Sequence, residues 1–205
     1  MRKIITVSRE FGSGGREIAK RLADELNLQY IDNEIVTRLA KETNLNESFI
    51  SERLERGISD IPVSFAHSFG YVPQTTGYVT LLAKQHKIIK DIAKDADCVI
   101  VGRGAEAILS EFKPYKIFVY ADLNSKIERC KSRMTPEENL SDKEIKRKII
   151  SIDRARKSTH DLYADYKWGD KVGYNICVNT TGVSIKEIVP SIAEMVKSYF
   201  GDDEK

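Results

Sequence analysis

The run Lys-Ile-Ile-Thr-Val-Ser over residues 3–8 is apolar and β-branched, and predicts a short strand. Behind it, Ile18, Leu22 and Leu26 recur four apart beside Ala19 and Ala23, which makes one apolar face of a helix. Residues 29–31 predict a second short strand ending at Asp32-Asn33, either of which can cap a helix over about 34–42 with Ile35, Leu39 and Ala40 inward. A further helix over 46–56 carries Phe49, Ile50 and Leu54. Residues 57–77 lack a period and mix Gly, Pro and Ser with Phe65, Phe69 and Tyr71, so they read as a functional or mobile loop. Helical spacing returns over 78–94, through Val79, Leu82, Ala83, Ile89, Ile92 and Ala93.

Residues 98–101 and 115–120 are two more apolar strands, the second followed by a helix over about 125–133. Ser141-Asp-Lys-Glu144 is a capping box that opens a long basic helix. Residues 174–178 predict the last strand. Ser184-Ile-Lys-Glu187 forms a second capping box, before a helix with Ile188, Ile192, Met195, Val196 and Tyr199 on one side. The acidic end over 201–205 is expected to fray. Strands separated by helices predict an α/β fold, a mainly parallel sheet covered on both faces. Ligands then bind at the carboxyl ends of the strands, which here carry residues 9–15, Asp32-Asn33, Gly102-Arg103, Asp122 and Asn179-Thr180.

With 205 residues the chain predicts one domain over about 1–200, and a net charge of +2 argues against strong affinity for nucleic acid or membrane. Three scattered cysteines, two of them in strand patterns, predict reduced buried thiols and a cytoplasmic protein. No signal pattern or membrane-length apolar run is present in the sequence.

The chemistry concentrates in the turn Arg9-Glu-Phe-Gly-Ser-Gly-Gly-Arg16. Strand, glycine turn and helix in that order aim backbone N–H groups at an anion, although an ordinary glycine-rich βα turn has the same order. A P-loop reads G-x-x-x-x-G-K-[ST]. Alignment on the last turn glycine puts Gly15 where Lys belongs and Glu17 near the hydroxyl position. The cradle is there, without its charge or its metal ligand.

Ser8–Arg16, Val101-Gly-Arg-Gly104, Lys116-Ile-Phe-Val119, Trp168-Gly-Asp170 and residues 174–179 together resemble the cytidylate kinase-like family, a branch of the P-loop nucleoside monophosphate kinases. The resemblance implies a three-layer fold on a five-stranded parallel sheet, with a monophosphate-binding insertion at about 33–77 and a lid at about 141–168. It implies phosphoryl transfer from ATP with Mg2+ to CMP or dCMP. It carries Gly12, Ser13, Gly14 and Gly15 onto the phosphate turn, with Arg16 and Glu17 beside them. Arg103 resembles the arginine that holds the acceptor monophosphate, and Asp32 ends the acceptor-side strand. Arg129 and Arg133 resemble arginines that precede the lid, while Arg154 and Arg156 resemble lid arginines that clamp the transferring group. In cytidylate kinases acidic residues flank the Gly-Arg pair; here Val101 and Gly104 stand there.

Phosphoryl transfer needs positioning and positive charge, which arginine supplies through its planar fork. Arg16, Arg103, Arg154 and Arg156 are therefore the candidates to replace the absent lysine, with Arg16 the nearest. Glu10, Glu17 and Asp122 are the carboxylates that could hold Mg2+ through water. His67, His86 and His160 have no metal spacing. Two readings stay open: a small-molecule kinase, or a nucleotide-binding regulatory protein that kept the fold and lost efficient chemistry.

Overall fold

The structure is a computed structural model that describes residues 2–56, 74–135 and 137–201. The loop aromatics at 65, 69 and 71, His67 and the tail beyond 201 lie outside these residues. Five strands, β1 (Ile4–Arg9), β2 (Gln29–Ile31), β3 (Cys98–Val101), β4 (Tyr115–Tyr120) and β5 (Ile176–Asn179), form one parallel sheet in the order β2-β3-β1-β4-β5. The helices are α1 (Gly15–Glu25), α2 (Glu34–Thr43), α3 (Glu47–Arg56), α4 (Gln74–Asp95), α5 (Ala105–Ile108), α6 (Leu123–Lys131), α7 (Asp142–His160) and α8 (Ile185–Phe200).

Strand alternation divides the core. Ile5, Val7, Val99, Val101, Ile117 and Val119 pack under α1 and α8, whereas Ile4, Cys98 and Ile100 pack under α2, α3 and α4. Both faces of β1 and β3 are thereby covered, as their unbroken apolar runs require. β1 is the centre of the sheet, so the turn that follows it opens in the middle of the carboxyl edge. No described helix is long and apolar enough to cross a membrane.

Several expectations change in detail. The loop expected over 57–77 is shortened, because α4 already begins at Gln74. Its buried stripe runs through Tyr78, Leu81, Leu82, Gln85, Ile88, Ile89 and Ile92, so the predicted Val79 and Ala83 face solvent. In α3 the buried residues are Ile50 and Leu54, and Phe49 is exposed. The face of α8 is turned likewise: Ile185, Val189, Ile192, Ala193 and Val196 meet the core, while Met195 and Tyr199 are half out. The capping box at Ser141 forms, with Ser141 N–H donating to Glu144 Oε2 at 2.8 Å. That at Ser184 does not; its hydroxyl caps nothing, and the turn is closed by Glu187 N–H donating to the Ser184 carbonyl at 3.1 Å. Neither Asp32 nor Asn33 caps α2 through its side chain, because Asp32 is drawn toward Arg16. Cys98 is buried as expected, but Cys177 is exposed because β5 is an edge strand.

Ile192→Ala should lower stability by about 2–5 kcal/mol through the cavity it leaves, and Met195→Ala by no more than about 0.5 kcal/mol. Urea unfolding of the two variants checks the orientation of α8; the reverse order of costs would contradict it.

Candidate functional site

The turn after β1 is held by its carbonyls. Arg129 on α6 donates to the Gly12 carbonyl at 2.8 Å and to the Thr180 carbonyl at 3.1 Å. The buried Thr180 hydroxyl donates to the Ser13 carbonyl at 2.7 Å, and Ser13 Oγ donates to the Glu10 carbonyl at 2.8 Å. Gly14 is the N-cap of α1 at φ 83°, a left-handed conformation open to glycine at little cost. Gly14, Gly15 and Arg16 at the start of α1 line the cavity beside the turn, and a helix start is where backbone N–H groups without i−4 partners can meet an anion.

A second clamp joins the turn to α7. Asp153 Oδ1 accepts from Phe11 N–H at 2.6 Å, and its other oxygen lies 3.4 Å from Lys126 Nζ. Lys126, only 7% exposed, also meets Glu10 Oε2 at 2.9 Å. Burial pushes the Asp153 carboxyl up, against the Phe11 N–H and the Lys126 charge. Arg156, one turn further along α7, donates to the Arg9 carbonyl at 3.0 Å and lies over the Phe11 ring.

Two cavities meet at this turn. One, of about 280 Å3, lies between the glycines, Arg129, Arg133 and the start of α7. The other lies at the ends of β1 and β3 and is lined by Arg9, Arg16, Arg103 and Arg156 together with Gln85, Glu106 and His160. Arg9, Arg16 and Arg156 line both. Enclosure holds the Arg9 guanidinium well below its ordinary pKa, and the charges of Arg156 and Arg103 push it the same way. Four arginines line this one cavity, a residue type whose planar fork can hold an anion.

The expected residues divide unequally. Gly12, Gly14, Gly15, Arg16, Arg129 and Arg133 line the first cavity, while Ser13 is buried in the turn. Glu17 is held on the outer side by Arg21 at 3.0 Å and Arg133 at 2.8 Å. Arg103 lies on the second cavity in a left-handed conformation at φ 62°. Asp32 is buried, with Oδ2 2.6 Å from Arg16 Nε and accepting from Tyr30 OH at 3.1 Å. The Asp32 charge adds to burial in pushing the Tyr30 hydroxyl up to about 12. Arg154 is exposed and lines neither cavity. Asp122 caps α6, accepting from Ser125 N–H at 2.7 Å.

Arg9, Lys126, Asp153, Gln85 and Glu106 were not predicted as site residues. Arg9 carried the same signal as Arg103, an arginine at the end of a buried strand. Gln85 interrupts the apolar stripe of α4, which is legible only once that stripe is phased correctly. Glu106 lies on a four-residue helix too short to show a period. An acidic residue at position 104 has no room, because a Cβ there would come 2.9 Å from the Tyr163 ring. Glu106 instead brings a carboxylate to the cavity, 1% exposed and 3.7 Å from His160 Nε2. Among the described residues no group of three or more His, Cys, Asp or Glu side chains could hold a metal ion.

The parallel sheet, the glycine turn at a helix N-terminus and the paired cavities define the P-loop nucleotide kinase fold. The chain belongs to the cytidylate kinase-like family, whose family model matches residues 4–182. It is 26% identical to a cytidylate kinase of Thermotoga neapolitana over 216 residues, covering 94% of this chain and 96% of that one. It is 26% identical to a cytidylate kinase of Clostridium tetani over 226 residues, covering 97% and 95%. Among solved structures, an uncharacterized protein from Eubacterium ventriosum matches with a TM-score of 0.69 at 26% identity, covering 96% and 99%. A shikimate kinase from Bacteroides thetaiotaomicron matches in fold, with a TM-score of 0.54 at 15% identity, covering 95% and 98%. Family and fold together support a nucleotide kinase.

Lys126→Met leaves Glu10 and Asp153 without their shared cation and should cost on the order of 3 kcal/mol. Neutralising both partners as well, with Glu10→Gln and Asp153→Asn, should recover at least half of it. Thermal and urea unfolding check this; a single variant as stable as wild type would contradict the clamp.

Proposed function

We propose that the protein transfers the terminal phosphoryl group of ATP to a nucleoside monophosphate, with CMP or dCMP as the acceptor. The observation that carries this reading is the junction of the two cavities: a glycine turn and helix start on one side, an arginine-lined chamber on the other, and Arg9, Arg16 and Arg156 common to both. The triphosphate lies along the glycine turn and the start of α1. The acceptor phosphate sits against Arg103, whose planar fork binds it bidentately. An acceptor phosphate oxygen then attacks the γ-phosphorus in line as the bond to the β–γ bridging oxygen breaks, and ADP leaves. The flanking guanidinium groups neutralise the equatorial oxygens.

The residues around the turn do not form a metal cage. Glu10 is taken by Lys126, Glu17 by Arg21 and Arg133, and Asp122 by its helix cap. Mg2+ accordingly enters as the partner of the nucleotide phosphates, as it does in many phosphoryl-transfer sites. The helix α7 and its approach act as a basic lid, with Arg156 as the lid residue that reaches the junction; Arg154 joins it only if the lid turns on closing.

A second reading, nucleotide binding with little transfer, is favoured by Gly15 at the lysine position and by Val101 and Gly104 where acidic residues would flank Arg103. A coupled ADP-release assay over a panel of monophosphates separates the two. Transfer to CMP or dCMP supports the kinase; ATP binding without transfer to any acceptor supports the regulatory protein. Arg103→Ala should weaken the acceptor by about 1.5–3 kcal/mol and leave ATP affinity nearly unchanged, and Arg103→Lys should recover only part. Equal losses for both nucleotides would reject the acceptor assignment.

A further inference from the structure

Gly15 has an ordinary helical backbone, so its lack of a side chain is not a conformational need. It is a matter of space. A Cβ on Gly15 would come 2.5 Å from Arg9 Cβ and 3.0 Å from Arg9 Cγ. The stem of Arg9 therefore occupies the volume into which a side chain at position 15 would start. The stem continues past β3, where a Cβ on Gly102 would fall on the Arg9 guanidinium. Position 15 is where a P-loop carries its lysine. Here that side chain is missing, and the space it would use is filled by a cation from six residues earlier, at the end of β1.

We infer that Arg9 delivers the positive charge that a P-loop lysine delivers, reaching the transferring phosphoryl group from the strand instead of from the helix. This rests on the phosphotransferase reading above. Three observations converge on it. Arg9 lines both cavities and so lies at their junction, with its guanidinium at Gly102 on the second of them. It is crowded by the like charges of Arg156 and Arg103, an arrangement that an incoming polyanion relieves. Arg16, the candidate nearest in sequence, has a side chain 60% exposed and places its Nε on Asp32 at 2.6 Å. Asp32 opposes the charge repulsion on Arg9, so Arg16 and Asp32 brace the acceptor side while Arg9 holds the junction.

The exchange of positions gives a reciprocal test. Arg9→Met keeps a stem in the gap and removes the charge. Arg9→Gly with Gly15→Lys rebuilds a conventional lysine in the vacated space. Gly15→Lys alone forces two stems into one volume. Thermal unfolding, ATP–Mg2+ affinity by calorimetry and single-turnover transfer are measured on all of them. Arg9→Met should remain folded, bind ATP roughly tenfold more weakly and lose about 100-fold or more in transfer. The double variant should recover at least about tenfold of that loss and unfold at a higher temperature than Gly15→Lys alone. Wild-type-like transfer by Arg9→Met overturns the inference. So does a loss confined to the acceptor KM, or a Gly15→Lys protein as stable as the double variant; each of these leaves the kinase reading standing. Failure of the wild-type protein to bind ATP at millimolar concentration overturns both.

Discussion

The stem of Arg9 runs through a gap that exists only because Gly15 and Gly102 carry no side chains. This packing couples features that would otherwise be independent. It fixes how closely α1 approaches the end of β1, and it ties the first strand to the turn after β3. It also places Arg9, half-buried, on the wall of both cavities. An arginine held this way loses little conformational freedom when an anion arrives, because most of its rotamer entropy is already spent in folding.

Around that residue the charges are ordered by burial. Lys126 is enclosed and neutralised by Glu10 and Asp153, and its work is to hold α6, α7 and the turn in one arrangement. Arg129 does the same for the Gly12 carbonyl and the loop after β5. Arg103, Arg16 and Arg156 instead face the cavities. The outer carboxylates Glu17 and Asp122 are occupied by arginines and by a helix cap, which removes them from the chemistry. The floor of the second cavity is different again: Gln85 is fully buried and Glu106 nearly so, and Gln85 Oε1 and Glu106 Oε2 have no hydrogen-bond partner among the described residues. A chamber with guanidinium groups on one side and free acceptor oxygens on its floor suits a ligand with a phosphate at one end and hydrogen-bond donors at the other.

Much of the fold was legible because its signals are local. Apolar runs at 98–101 and 115–120, the stripe of α1 and the capping box at Ser141 each depend on neighbours in sequence, and each is present. Helix orientation was less legible: one residue on a helix is 100° of rotation, and Val79, Phe49 and Met195 fall just outside the buried faces of α4, α3 and α8. The glycine turn and Arg103 were readable from their place at strand ends, and Arg9 stands at such an end too. Its role was not legible, because a role set by the absence of two side chains 87 residues apart in the chain, Gly15 and Gly102, becomes visible only when β1 and β3 lie side by side. Lys126 and Asp153 were hidden for the same reason, since a charge on a helix reads as solvated until its partners are placed.

On this reading the end of β1, and not the start of α1, supplies the cation at the reacting phosphoryl group. A crystal structure with a bisubstrate analogue, adenosine and cytidine joined through a chain of phosphates, tests it most directly. Arg9 should have a guanidinium nitrogen within roughly 2.7–3.2 Å of an oxygen on the phosphate that stands for the transferring group, with its stem still between Gly15 and Gly102. A structure in which Arg9 makes no phosphate contact, and Arg16 has left Asp32 to take that place, would assign the role to the helix instead.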